Sequence, residues 1–252
     1  MMGTKQKHPI GGAWHPIWKK LNDLYDLVAV TALLLVIFTA GYCLYDSLYI
    51  YTHTADAAQL ALYKPSPQTG MTQDSPITDQ MVGWLTMDGT DIDYPVMQGE
   101  DNAEFLNKDP YGKFSLSGSI FLDIRNTPSF DDGYAIIYGH HMEYGKMFGA
   151  LDRYLDEDYA RRHAHGTLLI GRDGQESREL EVFAVAETHA AEKVLFHMST
   201  VDQVRRYMAD HASFQFFEPE GNMLALTTCA DTSADARIVV MCEIREQTAS
   251  PS

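Results

Sequence analysis

Thr227-Thr228-Cys229 and, eight residues further on, Arg237 place a thiol at the end of one apolar run and a guanidinium at the start of the next, Ala236-Arg237-Ile238-Val239-Val240. If both runs are strands joined by residues 230–236, an antiparallel pairing centred on Ser233 sets Cys229 opposite Arg237. A thiol beside a fixed positive charge is biased toward thiolate, and the same charge can hold an oxyanion. That is the chemistry of a cysteine nucleophile.

Such a nucleophile needs a proton carrier. An unperturbed thiol and imidazole are together ionised in only about 1% of molecules at pH 7, so a neighbouring cation matters. Tyr138-Gly139-His140-His141 supplies imidazoles at the end of an apolar run, after a glycine that permits a sharp exit or a close approach. In alternating strand geometry His140 and His141 face opposite ways, so only one of them meets Cys229. Sequence alone leaves that choice open. His163 and His165 form at most half a metal site, and no further ligand at suitable spacing completes it. Taken singly these signals are weak, because a strand cysteine is usually core and a strand arginine is usually solvated or ion-paired. Cys242 reads as a small buried strand residue, although a Cys229–Cys242 disulfide stays open, since Cys43 lies in the apolar run described next.

The elements that must carry these groups follow from pattern. Residues 27–45 hold no charge and are bounded by Asp26 and Asp46. As a helix they reach roughly 28 Å, close to the thickness of a bilayer's hydrocarbon core. Lys5, Lys7, Lys19 and Lys20 precede them, which predicts an uncleaved single-pass anchor with a cytoplasmic N-terminus and an extracellular remainder. The net charge of −16 argues against nucleic acid as a partner, and residues 46–252, with 15 of the 19 basic and 33 of the 35 acidic side chains, carry a net −18 that is expected to hold them off anionic lipid. A helix is expected to continue over residues 46–63, and the Pro/Ser/Thr/Gly stretch from Pro65 to about Ser75 reads as a linker. Eight short apolar runs follow, near residues 81–87, 92–97, 118–122, 134–138, 167–170, 180–185, 223–229 and 236–244, which suggests a sandwich or closed barrel. Phe148, Leu151, Leu155 and Tyr159 predict one helix. Val201, Val204, Met208 and His211, after the cap candidates Ser199 and Thr200, predict another.

Thr227-Thr228-Cys229 with Ala236-Arg237-Ile238-Val239-Val240 resembles the cysteine and arginine strands of sortases. Ile137-Tyr138-Gly139-His140, with Met142 and Lys146-Met147-Phe148 behind it, is similar to the histidine segment of the class B form. Gly83-Trp84-Leu85, Ile92-Asp93-Tyr94-Pro95-Val96, Gln98-Gly99-Glu100-Asp101-Asn102 and Gly118-Ser119-Ile120-Phe121-Leu122-Asp123 resemble class B sortases in the same order. The resemblance covers roughly residues 80–245. It implies a mainly β, closed eight-stranded barrel with N-terminal helices and a helix before the cysteine strand, preceded by one transmembrane helix. The expected division is a cytoplasmic N-terminus (1–26), the anchor (27–45), a juxtamembrane helix and linker (46–80), a catalytic domain (81–246) and a tail (247–252).

By the same resemblance Cys229 attacks the carbonyl of a threonine in a protein's C-terminal sorting signal. His140 protonates the leaving amine, and Arg237 holds the substrate backbone or the oxyanion. Asn102, Leu106, Thr227 and Thr228 are implied to line the substrate groove. No cofactor or metal is implied. The implied partners are surface proteins or pilins bearing the signal, and an acceptor amine from a peptidoglycan cross-bridge or a pilin lysine. Ser66-Pro67-Gln68-Thr69-Gly70 itself looks like a sorting pentapeptide. Two other readings remain: an extracytoplasmic Cys/His cell-wall hydrolase, or a tethered β-domain that binds a partner and whose Cys229 is inert.

Overall fold

The computed structural model describes residues 15–53, 57–66, 74–142, 145–197, 199–228 and 236–246. Cys229 and residues 67–70 of the pentapeptide therefore lie outside the described residues. The chain divides into two compact units, residues 1–52 and 53–252.

The first unit is essentially helix α1, His15–His53, and its stretch Trp18–Tyr45 is long and apolar enough to cross a membrane. Large side chains from Leu27 to Leu44 are exposed on every side of it, an arrangement suited to lipid rather than water. The hydroxyls of Thr31 and Thr39 donate to the carbonyls of Leu27 and Leu35, so neither is left needing water.

The second unit is the barrel. Its strands are β1 (Met81–Met87), β2 (Asp93–Met97), β3 (Ile120–Leu122), β4 (Tyr134–Gly139), β5 (His165–Ile170), β6 (Glu176–His189), β7 (Phe214–Gln215), β8 (Asn222–Thr228) and β9 (Ala236–Glu246). Neighbours run in the order β5-β1-β2-β3-β4-β8-β9-β6, and β5 also pairs with β6, which closes eight strands. Strand β7 adds two residues beside β6; so short a run carries no readable alternation. Trp84, Phe105, Phe183 and Tyr154 fill the core, and Leu60 and Ile77, upstream of Met81, are buried with them. A helix α2, Ala57–Ala61, brings Leu60 there. Next to it Lys64 joins Trp84 and Thr86 in donating to the Asp93 carboxylate at 2.7–2.9 Å.

The helix expected over residues 148–159 is two pieces. A 3-10 stretch, Phe148–Leu155, ends at Asp156, whose extended backbone (φ −85°, ψ 116°) breaks the turn. The Asp156 side chain then caps α3, Glu157–Arg162, by accepting from the Tyr159 backbone N–H. A local cap overrides the apolar spacing. After a short α4, Lys193–Phe196, comes the second expected helix as α5, Val201–His211. Thr200 caps it reciprocally with Gln203, and Val204 and Met208 are its buried face.

Two features of this frame hold the region of interest. Gly118 has φ +57°, and a Cβ there would approach the Leu106 carbonyl oxygen to 2.6 Å. The loop from the 3-10 turn Glu104–Leu106 back to β3 closes only over a glycine. Asp123, 1% exposed, receives the Arg125 guanidinium at both oxygens (2.8 and 2.5 Å), the Tyr138 hydroxyl at 3.1 Å and the Asn102 amide at 3.1 Å. Burial would raise this carboxyl, but the bonds from Arg125, with that from Tyr138, outweigh it and hold it below the usual carboxylate range.

Gly118→Ala should cost about 2 kcal/mol of stability in urea unfolding, and a variant as stable as the wild type would contradict the close approach at Leu106. A carboxyl held below its unfolded value stabilises the fold above about pH 4 and loses that contribution as pH falls through its folded value. The stability gap between wild type and Asp123→Asn should therefore shrink as unfolding is measured from pH 6 down to pH 3. A gap that stays constant would show that the Asp123 charge is not what the fold uses.

Candidate active site

Strand β8 lies between β4, to which it is parallel, and β9, to which it is antiparallel. The β4 ladder runs from Tyr134↔Met223 to Gly139↔Thr228. The β9 ladder runs from Asn222↔Ile244 to Thr227↔Val239, a pairing centred on Ser233 as the sequence suggested. Both ladders end within two residues of Cys229. Arg237 also pairs across to Thr188 on β6.

His140 directly follows β4. Its Nε2–H donates to the Leu106 carbonyl at 2.7 Å; a carbonyl only accepts, so Nε2 carries the hydrogen and Nδ1 is left for other partners. Its own carbonyl accepts from Phe148 N–H at 3.0 Å, and Phe148 lies so close over Gly139 that a Cβ there would meet its ring at 2.8 Å. His141 goes elsewhere: it is exposed, and its Nε2 meets the Asp152 carboxylate at 2.8 Å. The two histidines are thus separated by their surroundings.

Arg237, half-buried at the start of β9, lays its guanidinium over the Phe196 ring, 4.9 Å from the centroid. Its Nε is buried without a hydrogen-bond partner, and among the described residues no carboxylate pairs with it. Burial, and then the Asp123 carboxylate, push the nearby Tyr138 phenol well above its ordinary value, with Arg125 and Arg237 pulling the other way. Tyr138 therefore stays a neutral donor to Asp123. Cys242 is fully buried and a free thiol, and burial pushes it up to about 12. It is unpaired with Cys229 and is no nucleophile.

The four groove residues fare differently. Thr227 is fully buried beside Tyr138 and Val239, with its hydroxyl oxygen unpartnered. Thr228, 5% exposed, lies across from Gly139. Leu106 is partly buried against the core and contributes its carbonyl to His140. Asn102 spends its amide on Asp123 and on the Ile124 backbone N–H at 2.8 Å. Sequence reasoning missed the Leu106 carbonyl, Asp123, Arg125 and Phe196. Asp123 alone had a signal, a carboxylate closing the apolar run Ile120-Phe121-Leu122.

A sortase domain family model matches residues 85–245. Sortase B of Listeria monocytogenes is 45% identical over 112 residues, which is 44% of this chain and 44% of that protein, so the match spans under half the relative's length. Sortase B of Staphylococcus aureus is 28% identical over 179 residues, 67% of this chain and 71% of that protein. Among solved structures, Spy0129, a Streptococcus pyogenes class B sortase involved in pilus biogenesis, aligns with a TM-score of 0.60 at 34% identity, over 67% of this chain and 94% of its own. With a closed barrel of matching architecture and relatives of one class, the chain belongs to the sortase family of cysteine transpeptidases, among its class B members.

Proposed function

We propose that this chain is a membrane-anchored transpeptidase in which Cys229, His140 and Arg237 act on a threonine-containing sorting signal. The observation that carries the reading is the pair of ladders on β8. Continued by one residue, the parallel ladder sets His140 beside Cys229; continued by two, the antiparallel one sets Arg237 on its other side. Neighbouring strands are about 4.8 Å apart, so one row across three strands brings the three groups into a common cleft. The same continuation supports His140 rather than His141 as the partner.

In this reading the Cys229 thiolate attacks the threonine carbonyl carbon, and the donors of Arg237 receive the oxygen as it gains charge. The carbon–nitrogen bond breaks, the departing amine takes a proton from His140, and a thioester remains. An incoming amine attacks the thioester, gives its proton to His140 and returns the sulfur. The product is a new amide. One solved structure of a sortase B is a complex with Gly3. A glycine-type amine is accordingly the first acceptor to test, with a pilin lysine as the other. Helix α1 holds the enzyme in the membrane, and Lys5, Lys7, Lys19 and Lys20 favour a cytoplasmic N-terminus with the barrel outside.

The full chain in detergent should cleave a labelled peptide containing Ser-Pro-Gln-Thr-Gly, or the preferred member of a library around it, and with triglycine should yield the ligated product. Cys229→Ala, His140→Ala and Arg237→Ala should each lower cleavage at least about a hundredfold, whereas His141→Ala should stay within about threefold of wild type. Full activity in Cys229→Ala, or a loss in His141→Ala matching that in His140→Ala, would overturn the assignment.

A further inference from the structure

The part of the molecule that holds Arg237 in place has no assigned role. An arginine in an acidic domain ordinarily ends in an ion pair, as Arg125, Arg161, Arg178 and Arg245 do here. Arg237 does not: its guanidinium rests on the Phe196 ring, and its buried Nε has no partner. Phe196 is 8% exposed and closes α4. Its carbonyl accepts from Arg125 at 2.9 Å, and the same guanidinium is clamped on Asp123. One residue earlier the Tyr134 hydroxyl donates to the Leu195 carbonyl at 3.0 Å. The turn after β3 and strand β4 thus grip the backbone of α4 while the Phe196 ring faces Arg237.

We infer that Phe196 is a positioning residue for Arg237, held by the Asp123–Arg125 brace so that the guanidinium is oriented without using its donors. A carboxylate in that place would fix the guanidinium equally well, but it would neutralise the charge and occupy the N–H groups the reaction needs. An aromatic face attracts the cation and leaves its edge free. The groups facing Arg237 from the packed elements are consistent with this. Tyr138 on β4 is neutral and turned to Asp123. Thr188 on β6 is bonded to the Tyr207 hydroxyl of α5 at 3.0 Å. Asp123, the buried acid bonded to Tyr138, is neutralised by Arg125.

This inference rests on Arg237 acting beside Cys229, and the test separates the two. In the full-length Cys43→Ser chain, where Cys242 is buried, the rate of Cys229 alkylation by iodoacetamide is followed against pH by mass spectrometry. Arg237→Ala should move the midpoint upward by about one unit, and Phe196→Leu by about half a unit in the same direction. Phe196→Tyr should restore the wild-type profile, and Phe196→Leu should add nothing in the Arg237→Ala background. Phe196→Met is a second ring-less variant in case leucine packs poorly. No shift in Arg237→Ala would refute the reading of Arg237 itself. A shift there with none in the folded ring-less variants, or an equal added shift in both backgrounds, would remove the positioning role alone.

Discussion

The register of β8 is the constraint on which the site depends. A strand paired on both sides has no freedom to slide, because a slip of one residue would carry every side chain to the opposite face of the sheet. Here Leu224, Ala225 and Leu226 are fully buried, so the parallel ladder to β4 and the antiparallel ladder to β9 are fixed by the same apolar residues. Chemistry-bearing positions far apart in sequence are then aligned by the core rather than by contacts among themselves. Closure of the barrel through β5 and β6 leaves none of these three strands at an edge.

A second constraint is electrostatic. Asp123 is nearly inaccessible, and a buried carboxylate persists only where donors replace water. Its donors come from three places: Arg125 two residues on, Tyr138 on β4 two residues before His140, and Asn102 on the loop that also carries Leu106. The hub therefore joins the strand leading to the imidazole, the loop whose carbonyl orients it, and, through Arg125 and Phe196, the segment beneath Arg237. Loss of any one donor leaves the charge under-satisfied, which is why such a network behaves as a unit.

What could be read from the sequence divides along the same lines. The eight barrel strands are visible as short apolar runs with turn punctuation, and the β8–β9 register agrees with the symmetry about Ser233 that the sequence reading assumes. Local information sufficed there. The parallel pairings β2–β3 and β4–β8 join distant segments and leave no local trace, so residue pattern alone offers His140 and His141 equally and only the family resemblance points to the first. The capping carboxylate of Asp156 divided what its apolar spacing presented as one helix. The bond from Arg125 to Phe196 spans 71 positions, and no periodicity announces it.

The cysteines of the β8–β9 hairpin show how position along a ladder decides chemistry. Cys242 sits mid-strand on β9, opposite Leu224 and Val182, sealed from water with its thiol pushed up to about 12. At neutral pH it is simply a small apolar side chain. Cys229 follows the last residue of β8, where the apolar rows give way to Arg237 on the neighbouring strand. The difference in reactivity proposed for the two thiols requires no special residue at either. It follows from where each falls relative to the end of the buried rows: Cys242 lies among them and is inert, and Cys229 comes in sequence after the last of them.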